Sequence, residues 1–162
     1  MLNFIKRQGV GTWIALGTLI LTVISFIIYG KNVSGGGYFH NASVSEVVTF
    51  SILEIVFLVL IIVVPQFQYK GIVEKVVNIA LDVLRILAAV FLVLALLNFI
   101  SARVEGLAYI YFSNPDILET IQAPETGNLA SAQSAIAGFI LYGITWLAAM
   151  VGAFFTVGRK KA

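Results

Sequence analysis

Glu54 is the residue of this sequence best suited to chemistry inside a membrane, because long apolar stretches flank it on both sides. If the second apolar segment forms a helix from about residue 44, Glu54 lies about 15 Å along it, close to mid-membrane. Hydrocarbon disfavours a charged carboxylate, so we expect a neutral carboxyl group unless a cation or a basic side chain lies near. Glu54 is therefore either a proton or cation site, or a structural group that joins two helices by a hydrogen bond.

A second group of polar residues lies between positions 70 and 85. Its members are spaced by four, four and three residues and share one helical face: Glu74, Asn78, Asp82 and Arg85. Aliphatic residues cover most of the remaining surface. This inner polar stripe belongs either to an amphipathic helix in the membrane interface or to an extension of the following span. The spacing of Asp82 and Arg85 predicts an ion pair within the helix.

The first and last apolar segments carry stripes of small and hydroxyl residues, which allow close helix contact and interhelical hydrogen bonds in lipid. The first segment carries Gly11, Ala15, Thr18, Thr22 and Ser25. The last segment carries Ser131, Ala135, Gly138, Thr145, Ala149 and Gly152. These candidate helix-packing faces either join the two helices within one chain, or dock a second copy or a partner protein.

The remaining residue types exclude several classes of chemistry. The chain has no Cys and a single His, His40, so it has no disulfide framework, thiol nucleophile or multi-histidine metal site. No base stands where it could activate a Ser or Thr nucleophile. We therefore expect a protein that is not an enzyme, with no catalytic residues, no cofactor and no metal. The net charge of +2 is too small to indicate a nucleic-acid partner.

Membrane helices must position these residues, because 60% of the 162 residues are hydrophobic and only 11% are charged. Apolar runs long enough to cross a bilayer predict one transmembrane domain, an all-α four-helix bundle with spans at about 10–29, 45–67, 83–105 and 131–157. Eight of the ten Lys and Arg residues then lie on one side, which predicts that both termini face the cytoplasm, in the plasma (cytoplasmic) membrane. The inner loop is about 68–82 and the outer loops are about 30–44 and 106–130.

The predicted outer loops carry local signals of their own. Glycines at 35–37 indicate a flexible loop tip, and Asn32 begins a glycosylation-type Asn-X-Ser triplet. Asn114 followed by Pro115 predicts a short outer-loop helix. Arg103, near the outer end of the third span, is expected to extend to the lipid headgroups.

Two functions are compatible with these patterns. The first is association: an accessory or scaffold subunit of a membrane complex, whose partner in the bilayer is a larger membrane protein or a second copy of the chain. The alternative is a small proton-coupled or cation-coupled transporter, built as a dimer, in which Glu54 is the membrane-embedded carboxylate.

Overall fold

The computed structural model describes residues 8–157, and this part of the chain is all-helical. Its five α-helices are α1 (Val10–Ser34), α2 (Ser45–Val63), α3 (Ile72–Phe112), α4 (Pro115–Ile121) and α5 (Asn128–Ala153). Short 3-10 turns follow α2 and precede α5. α1, α2, α3 and α5 are long and apolar enough to cross a membrane, so the chain is built as an integral membrane protein.

The four long helices form a bundle in which each helix packs against two neighbours, in the ring α1, α2, α3, α5. Small residues permit this packing where helices meet. A Cβ atom on Gly138 of α5 would lie 2.5 Å from the ring of Phe99 on α3, so only glycine allows this contact. The side chain of Phe99 belongs to the central core of the bundle, together with Leu92, Ala95 and Tyr142. α2 ends near Pro65, which has no N–H group to continue the helix.

α3 is a single helix of 41 residues and extends beyond the predicted span at both ends. Residues 72–82 are continuous with it, so the amphipathic inner segment is an extension of the span and not a separate element. Residues 106–112, expected in the outer loop, also belong to α3. At 1.5 Å per residue the helix is about 61 Å long, about twice the thickness of the hydrocarbon core. No proline interrupts this stretch.

The two ends of the bundle differ, and we name them by what covers them. At the capped end, the segment 35–44 and α4 pack over the long helices around an apolar cluster that includes Phe39 and Ile110. The open end is where α1 begins and α5 ends. A cavity of about 890 Å³ lies there, between the start of α1, the α2–α3 connection and the inner polar stripe of α3. The short helix predicted after Asn114 is present as α4.

Gly37 at the capped end is tightly packed, which corrects the expectation of a flexible tip at this position. Gly37 has a φ of +100°, and a Cβ atom on it would lie 2.5 Å from the backbone oxygen of Gly127. Gly127 itself has a φ of +68° and directly precedes α5. Two backbone segments therefore meet at a point where Gly37 has no room for a side chain and where both glycines have a positive φ.

Candidate functional site

Glu54 lies on the buried face of α2 and is completely enclosed by the bundle. The hydroxyl group of Thr22 on α1 donates a hydrogen bond of 3.0 Å to Glu54 Oε1. The other carboxyl oxygen, Oε2, is also buried and has no hydrogen-bond partner among the described residues. Glu54 thus joins two helices, as the structural interpretation expects, but one of its two carboxyl oxygens has no partner.

Further polar groups continue from Glu54 toward the capped end. The hydroxyl groups of Ser25 and Thr145 are 3.1 Å apart and link α1 to α5. Ser51, one turn from Glu54 on α2, has its hydroxyl 2.8 Å from that of Tyr142. All of these side chains are buried, so we call them, with Thr22 and Glu54, the polar column. The column crosses the centre of the bundle.

The candidate helix-packing faces of α1 and α5 lie against each other within the chain. Their centre is the hydrogen bond between Ser25 and Thr145. Near the open end, Gly11 approaches the backbone of Thr156, and Gly152 lies against Ile14. Most of the other members are buried as well, namely Ala15, Thr18, Thr22, Ser131, Ala135, Gly138 and Ala149.

Arg103 is buried beneath the cap, which corrects the expectation that it extends to the headgroups. Only 2% of its surface is exposed. Its Nε donates a hydrogen bond of 3.0 Å to Asn32 Oδ1, and Nη2 donates to the backbone oxygen of Ala42. The guanidinium carbon lies 4.7 Å from the ring centre of Phe39 and 5.7 Å from that of Phe99. Carbonyl oxygens and ring faces therefore stabilise this charge without a carboxylate.

The sequence did not predict Asn32 as the hydrogen-bond partner of Arg103. The side-chain nitrogen of Asn32 donates to the backbone oxygen of Ser131 at 2.8 Å and to the hydroxyl of Ser134 at 2.7 Å. Because Asn32 is buried, it is a structural residue and not an exposed glycosylation position. One signal was available: Asn32 lies seven residues after Ser25 and continues the same face of α1.

The inner polar stripe lies at the open end and includes no residue bonded to Glu54. Arg85 Nη1 and Asp82 Oδ1 form an ion pair of 2.6 Å, while Glu74 and Asn78 are exposed. The Asp82 side chain is 65% exposed and that of Arg85 only 10%. Arg85 Nε is buried and, like Glu54 Oε2, lacks a hydrogen-bond partner among residues 8–157.

The surroundings of Glu54 suit a proton better than a metal ion. Calcium and magnesium require several oxygen ligands, commonly from more than one carboxylate. Within residues 8–157, no three His, Asp or Glu side chains are grouped in a way that could hold a metal. A carboxyl group can take up or release a proton with no further ligand.

Comparison of the chain with protein families, with curated proteins and with solved structures finds no match.

Proposed function

We propose that this chain is a non-enzymatic membrane protein that acts by association, as an accessory or scaffold subunit of a larger membrane complex. The observation that carries the proposal is the exposed first part of α3. The first buried residue of α3 is Leu81, and all of residues 72–80 except the half-buried Val77 are exposed. Ile72, Val76 and Ile79 expose most of their side chains there.

The sidedness of the bundle supports a protein partner for this segment. The open end carries Lys70, Lys75 and Arg85, and further basic residues lie close in sequence to the start of α1 and the end of α5, which favours a cytoplasmic location. Charged side chains at 70, 74, 75 and 82 favour a position of residues 72–80 outside the hydrocarbon core. There, lipid would not cover the apolar side chains of the segment as it covers those of the spans. A partner protein would remove them from water.

Purification of the intact complex from native membranes in mild detergent tests the proposal. We expect stoichiometric recovery of a larger membrane protein. Replacement of both Ile72 and Ile79 by Ala should cause loss of that protein, because the contact surface is removed. Ile140 and Ile144 on α5 provide a control pair, since Ile140 is 58% exposed and Ile79 is 64% exposed.

The outcomes are distinct. Loss of the partner in the α3 double variant but not in the α5 double variant supports association through the exposed segment. Recovery of this chain alone, from native membranes and without substitutions, contradicts the proposed function.

A second candidate function is proton-coupled transport, and the unpartnered Oε2 atom of Glu54 favours it. A purely structural carboxyl group would gain from a partner for each oxygen, whereas a proton-binding group must exchange its proton. Proton uptake into liposomes, driven by an imposed membrane potential and read by an enclosed pH dye, tests this function. Glu54→Gln should abolish uptake, and Glu46→Gln on the same helix is the exposed control.

A further inference from the structure

Two buried side-chain atoms without hydrogen-bond partners stand out among residues 8–157, and they belong to side chains of opposite charge type. They are Glu54 Oε2 on α2 and Arg85 Nε on α3. These two helices pack directly against each other. Buried polar groups normally have partners, so each of these two exceptions on neighbouring helices needs an explanation.

A narrow cavity of about 20 Å³ lies between the helices beside Arg85, and Glu54 is not among the residues that line it. Arg85 lines it directly. So do Leu58, one helical turn from Glu54, and Thr18, one turn from Thr22. The volume is about that of one water molecule. Arg85 also lines the large cavity at the open end, so its side chain borders both cavities.

The present partner of Arg85 holds it only weakly. Asp82 is mostly exposed, and an ion pair with an exposed carboxylate contributes little because water competes for both charges. The arginine side chain is longer than one turn of the helix, so a change of rotamer can direct the guanidinium toward solvent or into the bundle.

No other described group near Glu54 can neutralise a carboxylate there. On α5, the Tyr142 hydroxyl is bonded to that of Ser51. On α1, Thr22 already donates to Oε1, and the Tyr29 hydroxyl bonds the backbone at Val44. α3 contributes Arg85, and its remaining charged residues near the open end are exposed or, like Asp82, acidic.

We propose that Glu54 and Arg85 form a proton-controlled ion pair that opens and closes from the open end of the bundle. With Glu54 protonated, Arg85 pairs with Asp82, as in this structure. When the O–H bond of Glu54 breaks, the proton leaves through the narrow cavity to water at the open end. Arg85, which stays protonated, then turns from Asp82 to the new carboxylate. This inference rests on the transport candidate only in requiring that Glu54 exchange a proton.

Infrared titration of the full chain in liposomes tests the exchange. The carbonyl stretch of a protonated carboxyl group disappears on ionisation, and subtraction of the Glu54→Gln spectrum assigns the band to Glu54. We expect Arg85→Gln to move the pH midpoint of its disappearance upward by about one unit or more, because the stabilising charge is lost. Asp82→Asn should move the midpoint downward, because loss of the Asp82 carboxylate frees Arg85 to pair with Glu54. Lys75→Gln, which removes an exposed charge of the same sign, should leave it unchanged.

The double variant distinguishes an exchange of partners from a general effect of charge. If Asp82 acts through Arg85, Asp82→Asn should leave the pH midpoint of the Glu54 band unchanged in the Arg85→Gln background. An equal effect of Asp82→Asn in both backgrounds overturns the proposal, as does an unchanged midpoint in Arg85→Gln or a carbonyl band that persists at every pH. The expected midpoint shifts without proton uptake into liposomes would retain the ion pair and refute transport.

Discussion

The two ends of the bundle differ in how completely their buried polar groups are hydrogen-bonded. At the capped end, Arg103 donates to Asn32 and Ala42 and lies against two aromatic rings. Toward the open end, Glu54 and Arg85 each keep a buried atom without a partner. A fully bonded charge has one favourable position, whereas an incompletely bonded charge can gain by moving. We therefore expect the capped end to be the more rigid part of the molecule and the open end to be the part that can change.

Arg103→Gln should have the largest effect of any single substitution considered. It removes the charge-assisted hydrogen bond to the Ala42 carbonyl and the bond from Nε to Asn32, each worth about 1.5 to 3 kcal/mol. We expect the free energy of unfolding in mild detergent to fall by about 3 kcal/mol or more, as measured by denaturant titration followed by circular dichroism. A loss below about 1 kcal/mol would contradict the view that Arg103 holds the cap.

Gly37→Ala should weaken the capped end by about 2 kcal/mol, because a left-handed backbone and a close contact with Gly127 both oppose a side chain. The neighbouring Gly36 has nothing within 4 Å of a built Cβ atom. Gly36→Ala is therefore the control, with an expected change within about 0.5 kcal/mol. Equal unfolding free energies for the two variants in the same titration would show that the close approach has no energetic role.

Glu54→Gln should lower the free energy of unfolding by only about 1 kcal/mol. The amide oxygen of Gln can still accept the Thr22 hydroxyl, while its NH₂ group lacks an acceptor at the position of Oε2. Thermal unfolding of the purified variant measures this. A loss comparable to that of Arg103→Gln would remove the energetic distinction between the two ends.

Asp82→Asn should have the smallest effect on stability, about 0.5 kcal/mol, because its ion pair with Arg85 is exposed on the Asp82 side. The same unfolding titration checks it, at low and high salt. If the loss were several kcal/mol, or did not diminish with added salt, Arg85 would be firmly held by Asp82 and not free to exchange.

The long helices and α4 could be predicted because their signals are local. Apolar length identifies a segment that can cross a membrane, and Pro115 marks the first turn of α4. The limits of α3 could not be read in the same way. Apolar length reports where hydrocarbon ends, whereas the helix continues through residues 72–82 and 106–112 because nothing there interrupts its backbone hydrogen bonds.

The sequence identified residues of the candidate site, but it did not predict which of them contact each other. Glu54 and Thr22 were both singled out, yet they are 32 positions apart and no sequence pattern pairs them. Arg103 was misjudged for the same reason. Its partners, Asn32 on α1 and Ala42 in the segment 35–44, lie 71 and 61 positions away, and only the folded bundle brings them to Arg103.

The length of α3 gives the molecule a mechanical property. From Leu81 onward α3 is packed into the bundle, so only residues 72–80 can act as a free arm, and this arm is hinged at Leu81. Ile72 lies nine residues, about 14 Å, from Leu81 along the axis, so a tilt of the arm by about 5° displaces Ile72 by about 1 Å. A force that a partner exerts on the arm enters the bundle at Leu81, one helical turn from Arg85.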